Sequence, residues 1–350
     1  MATLRQQLLE LVDKLSPTLE KAFLDAIDDI KSEIVLREVV AYLKRRDIEG
    51  AIQALHIDPA AFRPLSEALR QAYNAGGLLT SQNMPRLFDP MGGRVVFRWD
   101  VSNQGAEANL RTLSSTMITN ITEGTVAAAR ETIVAGYSQG SGPNKIALDL
   151  VGRKSAVTGK REGGVLGLNG PQAELVERTR INLLSGDPAL MKKYLALKTR
   201  DKRLDGRVKR AIAAAKPLDA ETLNNVLMRL RDNNLRLRGY TVARTETVTA
   251  VLSAKHEAFL QALSKSNRDA TLVTRKWRSS GRSNVRHTHQ VLNGQEIRGM
   301  DLPFQSPSGA LLRYPGDTSL GAGAAEVASC VCDVEYNFNF AEAYARSRGR

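Results

Sequence analysis

The sequence lacks several features that whole classes of protein require. Only two of its 350 residues are cysteine, too few to cross-link an extracellular fold, so we expect synthesis in a reducing cytoplasm. No uncharged apolar run approaches the roughly 18 residues of a transmembrane helix, which predicts no membrane span. The N-terminal segment carries Glu10 and Asp13 without a small-residue cleavage site, so a signal peptide is not expected.

Aromatic residues and common catalytic motifs are scarce as well. Aromatics make up 5% of the chain, which argues against a carbohydrate-binding face or a base-stacking platform. No HExxH, GxSxG or dinucleotide-binding pattern occurs. The glycine-rich stretch 159–170 lacks the Gly-Lys-Ser/Thr order of a phosphate-binding loop and is typical of a mobile loop or turn.

Helical patterns dominate what remains. Hydrophobic residues make up 42% of the chain, and they recur at helical spacing along much of it. The sequence predicts a mostly α fold, with N-terminal and central helical bundle regions and a small turn-rich α+β C-terminal domain. The expected segments are a helical N-terminal domain 1–80, a mixed, mainly helical basic middle region 81–215, a C-terminal domain 216–340 and a basic tail 341–350.

Local signals predict where the helices begin and end. Ser16-Pro17 and Asp58-Pro59 are typical of helix starts, and Gly76-Gly77 is typical of a helix end. Asn233-Asn234 predicts a break in a long helical stretch. Strands are expected near residues 94–99, 271–276, 310–314 and 331–336.

The net charge of +13 is concentrated in the middle of the chain. Residues 1–90 carry 11 basic and 13 acidic side chains, whereas residues 151–245 carry 21 basic and 9 acidic ones. This asymmetry predicts contact with nucleic acid or with an acidic protein surface, and a solvated helical face is the alternative. The candidate binding residues, here called the basic patch, are Lys192, Lys193, Lys198, Arg200, Lys202, Arg203, Arg207, Lys209 and Arg210.

Histidine and cysteine pairs near the C-terminus form the main candidate for chemistry. His287 and His289 are spaced i, i+2, as are Cys330 and Cys332, and in extended strands such residues point to the same face. Two neighbouring strands would then present two imidazoles and two thiolates, a possible tetrahedral zinc set. Buried thiols beside hydrogen-bonded imidazoles, or a thiolate–imidazole nucleophile, are the alternatives.

One carboxylate pair is a further acid–base candidate. Glu246 and Glu257 lie eleven residues apart in a predicted helical stretch. Ion pairs along the helix surface are the favoured interpretation of such residues.

Five segments of the C-terminal half occur in one order that resembles a known family. They are ARTETVTAV (243–251), KW (276–277), NVRHTHQVLNG (284–294), LPFQSPSGALLRYPGD (302–317) and AAEVASCVCDVEY (324–336). Together they resemble the phage Mu protein F-like minor head proteins, also called phage head morphogenesis proteins. The preceding stretch, residues 203–223, is similar to the helical region these proteins carry there. Domain 216–340 is accordingly identified as a Mu F-like head morphogenesis domain.

The resemblance is carried by individual positions. Those that match the family pattern are Arg244, Thr245, Glu246, Trp277, Arg286, His289, Gly294, Pro315, Asp317, Cys330 and Cys332. The chain departs from the pattern at Arg282, Ser283 and Asn284, where an acidic residue usually stands, and at Val331, where arginine is common. If the family's His and Cys positions form a metal or polar cluster, the missing acid would weaken it here.

The resemblance implies a structural role in a virus particle and no enzymatic activity. Such a protein would be a minor capsid component of a tailed double-stranded DNA bacteriophage, assembled in the host cytoplasm and located in the virion. Its implied partners are the portal protein or the major capsid protein, with packaged DNA as a further candidate. The alternatives are a virion-carried enzyme that uses the His/Cys residues and a non-specific DNA-binding module. No cofactor is expected unless the His/Cys residues hold zinc.

Overall fold

The computed structural model describes residues 2–348, and over this range the fold is mostly α, as predicted. The α-helices of this range are α1 (Leu4–Glu33), α2 (Leu36–Lys44), α3 (Ile48–Gln53), α4 (Arg63–Gln82), α5 (Gln104–Ser138), α6 (Pro143–Val151), α7 (Gly170–Leu184), α8 (Pro188–Leu195), α9 (Asp205–Ala213), α10 (Ala220–Lys265), α11 (His287–Leu292), α12 (Ala324–Val327) and α13 (Phe340–Ser347). Short 3-10 helices span Pro59–Phe62, Lys202–Leu204 and Ala270–Leu272. No helix in the described part of the chain combines the length and hydropathy of a membrane span.

The strands are short and form small antiparallel sheets. They are β1 (Leu87–Phe88), β2 (Arg94–Val95), β3 (Arg153–Lys154), β4 (Arg161–Glu162), β5 (Val273–Arg278), β6 (Glu296–Arg298), β7 (Phe304–Gln305), β8 (Leu311–Leu312) and β9 (Asp333–Phe338). Two-stranded pairs join β1 to β2, β3 to β4 and β7 to β8, and the one three-stranded sheet of the described residues has the order β6-β5-β9. In that sheet Trp277 of β5 is opposite Val334 of β9.

The chain forms two compact units, each built from separated stretches. The first unit comprises the residues up to Glu20, Ser66–Ser115 and the residues from Thr241 on, and the second comprises Lys21–Leu65 and Thr116–Tyr240. These units do not coincide with the predicted contiguous segments. Helices α1, α5 and α10 are 30, 35 and 46 residues long, and each contributes residues to both units.

Three expected helix boundaries lie inside continuous helices. At Ser16-Pro17, α1 continues through the proline, and the Ser16 hydroxyl donates to the carbonyl of Val12. At Gly76-Gly77, α4 continues because the glycines pack against the backbone of Val251 and the ring of Trp99, where a Cβ would clash. Asn233-Asn234 does not interrupt α10.

The amides of these asparagines are satisfied without breaking the helix. Asn233 donates to the carbonyl of Thr199 at 2.9 Å, and Asn234 donates to the carbonyl of Leu230 at 2.8 Å. Both amides therefore have partners while α10 continues, and Asn234 bonds back to a carbonyl one turn earlier in the same helix.

The structure also corrects several strand expectations. The strand expected at 94–99 is limited to β2, whereas the other three expected strands correspond to β5, β8 and β9 with shifted ends. The predicted basic tail begins as helix α13, which is capped by Asn339. Gly349 and Arg350 of that tail lie outside the described residues.

The core of the first unit lies between α10 and the small sheets. Val248, Val251 and Leu252 of α10 pack in one cluster with Trp277, Phe304 and Leu312. The side chains of β5 alternate between buried and half-buried, so one face of this strand enters the core. Arg275 is buried on that face, where its guanidinium donates to the carbonyls of Gly299, Leu302 and Arg313.

Candidate metal centre

A histidine, two cysteines and a glutamate meet in the interior of the first unit. His289 lies in α11, Glu326 lies in α12, and Cys330 and Cys332 lie between α12 and β9. We call these four residues the His289 cluster. All four side chains are buried.

Two contacts hold the cysteine-bearing segment against its neighbours. The backbone amide of Ser329 donates to the hydroxyl of Thr245 on α10 at 2.9 Å. The guanidinium of Arg286, just before α11, donates to the carbonyl of Ala328. Ser329 has a left-handed backbone with φ of 54°, a conformation that these two contacts stabilise.

The ligand atoms of the cluster converge on one edge of the imidazole. Nδ1 of His289 lies 3.3 Å from Sγ of Cys330 and 3.6 Å from Sγ of Cys332. The three ligating atoms lie within 4.8 Å of one another. These residues can therefore hold a metal ion.

His287 is not part of this group. The segment that carries it was expected to be extended, but it forms the first turn of α11. Successive residues of a helix are rotated by about 100°, so residues two positions apart differ by about 200°. His287 and His289 therefore point to nearly opposite sides of α11. His287 is exposed, and the predicted four-ligand set is reduced to three residues.

Glu326 is a member of the cluster that the sequence interpretation missed. Its Oε2 lies 2.8 Å from Nε2 of His289, on the ring edge away from the sulfurs. Hydroxyls of Ser308 and Thr288 donate to it at 2.6 and 3.1 Å. The only signal in the sequence was its position four residues before Cys330, which does not distinguish it from a solvent-exposed acid.

Hydrogen bonds and burial shift the acidities within the cluster. Burial opposes ionisation of Glu326, but bonds from Ser308, Thr288 and His289 hold its pKa below the usual value. The hydrogen bond between the two thiols lowers the pKa of Cys332 and raises that of Cys330. One thiol thus ionises far more readily than the other before any metal binds.

The remaining family-pattern residues surround this cluster or support its neighbours. Trp277 is buried with its ring edge-on to both His289 and Phe304, at centroid distances of 5.2 and 5.3 Å. Gly294 has a φ of 85°, and its amide donates to the carbonyl of Trp277.

Asp317 is buried and accepts from the backbone amides of Arg313 and Ser319. Arg244 pairs with Asp13 at 2.7 Å.

Glu246 and Glu257 do not form the expected helical ion pairs with any described residue. Glu246 is half-buried, and burial raises its pKa to about 7. Glu257 accepts from the amides of Asn109 and Gln261 at 3.2 and 3.3 Å, and burial also raises its pKa. Helix packing places both carboxylates away from basic side chains, which the spacing along one helix did not reveal.

The structure places the basic patch in the second unit, on α8, α9 and the segment between them. Eight of its nine cations are exposed, and Arg200 is half-buried. Arg200 pairs with Asp205, and Arg203 pairs with Asp201. Arg229 and Arg236 of α10 join Arg200, Lys202 and Arg203 around a polar cavity of about 260 Å³.

In comparisons with known proteins, no family model, curated protein or solved structure matches the chain. The resemblance to the Mu F-like proteins therefore depends on the motifs of this chain. What the structure adds is the placement of those motifs relative to one another within the first unit.

Proposed function

We propose that this protein is a minor head protein of a tailed double-stranded DNA phage. It acts in prohead assembly by binding the portal or the capsid shell, through shape and charge and without turnover of a substrate. The observation that supports this function is that the five resemblance motifs contact one another. They are spread over residues 243–336 of the sequence, yet they form one packed region.

Contacts between motifs run through buried polar groups and aromatic rings. Thr245 of the first motif accepts from the amide of Ser329 in the fifth. Trp277 of the second motif packs on His289 of the third and Phe304 of the fourth. Arg286 of the third motif donates to the carbonyl of Ala328 in the fifth. The motif residues thus make internal contacts, as expected for a folded docking domain.

The turn of the fourth motif is fitted to the helix of the first. Gly316 has a φ of 89°, and a Cβ there would lie 2.6 Å from the Thr249 hydroxyl of α10. Only glycine combines this backbone with such a close approach. The fourth motif therefore packs closely against the first, although the two are far apart in the sequence.

The ion that we assign to the His289 cluster is zinc. Two thiolates and an imidazole form a soft ligand set. Such a set binds Zn²⁺ in preference to harder cations. Its role would be structural, because it would tie α11 to the segment between α12 and β9. Elemental analysis of the purified protein should find about one zinc per chain, and chelator should lower the thermal unfolding temperature. A metal-free protein with unchanged stability in chelator would remove zinc from the proposal.

The decisive experiment for the assembly role is localisation. We expect the chain to copurify with finished particles. The measurement is its amount in full particles, in emptied particles and in proheads that lack portal. Loss from portal-free proheads alone would identify the portal as the partner, and retention would identify the shell. Absence from all particles would contradict the assembly role.

The enzyme alternative predicts a different outcome for Cys332→Ser. If the cluster is structural, this variant should lose stability and incorporation into particles together. The matched control, His287→Ala, changes an exposed neighbour and should be incorporated normally. A Cys332→Ser protein that assembles normally but lacks an activity of the parent would favour the enzyme.

Packaged DNA is the partner we favour for the basic patch. Binding to DNA should weaken linearly in log affinity with log salt, because the lysines and arginines that neutralise phosphates release counterions. Replacing the exposed Lys198, Lys202 and Lys209 by glutamine should reduce the slope by about 0.9 for each phosphate that is no longer neutralised. Lys44→Gln, an exposed lysine outside the patch, is the control. If the slope of log affinity against log salt is the same in the triple variant and the parent, these lysines do not contact DNA and the basic patch is a solvated face.

A further inference from the structure

The sulfur–nitrogen distances of the His289 cluster match those of a bound zinc ion. Sγ of Cys330 and Sγ of Cys332 lie 3.3 and 3.6 Å from Nδ1 of His289. In a tetrahedral site with bonds of about 2.3 Å to sulfur and about 2.0 Å to nitrogen, sulfur and nitrogen lie about 3.5 Å apart. Each thiol therefore lies at the distance from the imidazole that two ligands of one ion would have.

Glu326 orients the imidazole and does not supply a fourth ligand. It contacts Nε2, so the ion and the carboxylate occupy different edges of the same ring. A carboxylate that accepts from the far nitrogen of a metal-binding histidine fixes the ring orientation and its tautomer. Among the described residues, no further His, Cys, Asp or Glu side chain joins the three ligands.

The fourth coordination position faces a small cavity. All three ligand residues line it on one side, and residues of the segment 280–286 line it on the other. Its volume of about 50 Å³ is enough for a water molecule or a small anion. Ser280 and Cys332 both line this cavity.

The charge around this cavity favours an anion. Arg282 and Arg286 both line it, and none of its described lining residues is acidic. A zinc ion with two thiolates is neutral, so the two guanidinium groups outweigh the one carboxylate of Glu326 and leave the site with a net positive charge. Arg282 also begins the stretch in which the sequence departs from the family pattern, where an acid usually stands.

We propose that the His289 cluster is a three-ligand zinc site whose fourth position is open to solvent and takes a small anion. Arg282 and Arg286 attract the anion, and the cavity limits its size. This inference rests on the zinc proposal for its metal and adds the class of ligand. The ion would still tie α11 to the segment between α12 and β9, but protein side chains would fill only three of its positions, unlike those of a closed structural site.

The test uses the full chain loaded with Co²⁺, whose visible absorption reports the ligands around the ion. Azide is the probe, added at constant ionic strength. We expect tetrahedral cobalt bands that shift saturably with azide. Arg282→Gln, at an exposed position, should raise the azide midpoint several-fold, whereas the control His287→Ala should leave it unchanged.

The possible failures are distinguishable. If Co²⁺ does not bind, the zinc proposal itself is wrong. If Co²⁺ binds and azide leaves the spectrum unchanged, the metal assignment stands and the open position is wrong. An azide shift with the same midpoint in Arg282→Gln and the parent would overturn the role given to the arginine.

Discussion

Each of the two units buries a cluster of ionisable side chains, and the two clusters are neutralised differently. In the second unit Asp149, Glu177, Arg180 and Arg231 form what we call the Arg180–Arg231 cluster. Arg180 contacts both acids at 2.9 and 3.0 Å, and Arg231 contacts Asp149 at 2.8 Å. Two guanidinium groups thus balance two carboxylates within the chain itself.

The His289 cluster of the first unit has no such internal balance. Its sulfur and nitrogen atoms converge without a basic side chain among them, and its one carboxylate is bonded to the imidazole. A buried charge is stable only when it is paired or coordinates a metal. The comparison therefore separates a cluster that is neutralised by its own side chains from one whose side chains can hold a metal ion.

The largest expected effect tests the completeness of the Arg180–Arg231 cluster. Arg231→Met leaves Asp149 and Glu177 with one cation in a buried site, and we expect a decrease of about 3–5 kcal/mol in unfolding free energy. Denaturant unfolding measures this decrease. The control Arg178→Met removes an exposed pair with Glu174 and should cost about 0.5 kcal/mol or less. Similar costs for the two variants would contradict the assigned difference.

The next effect concerns the orientation of His289. Glu326→Gln keeps the shape of the side chain but removes the negative charge beside Nε2, so zinc affinity should fall about 10- to 100-fold. Competition with a chromophoric chelator measures this affinity. His287→Ala, in the same helix but exposed, should bind zinc like the parent. Unchanged affinity in Glu326→Gln would mean that the carboxylate does not act on the metal site.

The smallest effect is a difference in acid sensitivity between the units. In the first unit burial, helped by the charges of Arg275 and Arg313, lowers the pKa of His256 from 6.5 to about 3. Between these values the unfolded state binds the proton at His256, so this group lowers stability as pH falls, by up to about 1.4 kcal/mol per unit, whereas Glu246 with its raised pKa contributes in the opposite direction. Denaturant unfolding from about pH 7 to about pH 4.5 isolates the contribution of His256 as the difference between the parent and His256→Gln, and the parent should lose stability relative to the variant as pH falls.

The second unit should respond later to acid. Burial works against the ionisation of Asp149, but Arg231 and Arg180 hold its pKa below the ordinary value of 3.8. Its contribution is present above that value and disappears only as pH falls through the lower, folded-state pKa. If hydrogen exchange showed the second unit opening first between about pH 6 and about pH 4, the contrast would be wrong.

The candidate site was predicted in part. Spacing alone singled out His289, Cys330 and Cys332, because histidine and cysteine are rare in this chain and clustered near its end. It wrongly included His287, since the choice between strand and helix at 284–294 depends on tertiary contacts of that segment. The position of Glu326 near Cys330 does not distinguish it from an exposed acid, because its role depends on hydroxyl groups that lie on other elements.

The expected helix breaks failed for a related physical reason. Proline, paired glycines and paired asparagines are unfavourable inside helices in isolation. At Gly76 and Gly77, Val251 and Trp99 approach so closely that no side chain fits at either position. The packing of α4 therefore outweighs the low helix propensity of glycine. Helices α1, α5 and α10 each contribute residues to both units. A division of the sequence into contiguous segments therefore could not predict the units.

Composition and periodicity were sufficient to determine a mostly helical chain with a basic middle and a small mixed C-terminal region, because helical burial repeats at short range along the sequence. Which acid faces which base, which histidine meets the thiols and which glutamate stands behind it depended on contacts between residues far apart in the chain. Those contacts are set by the packing of long helices and tight turns in three dimensions, and only the folded structure decided them.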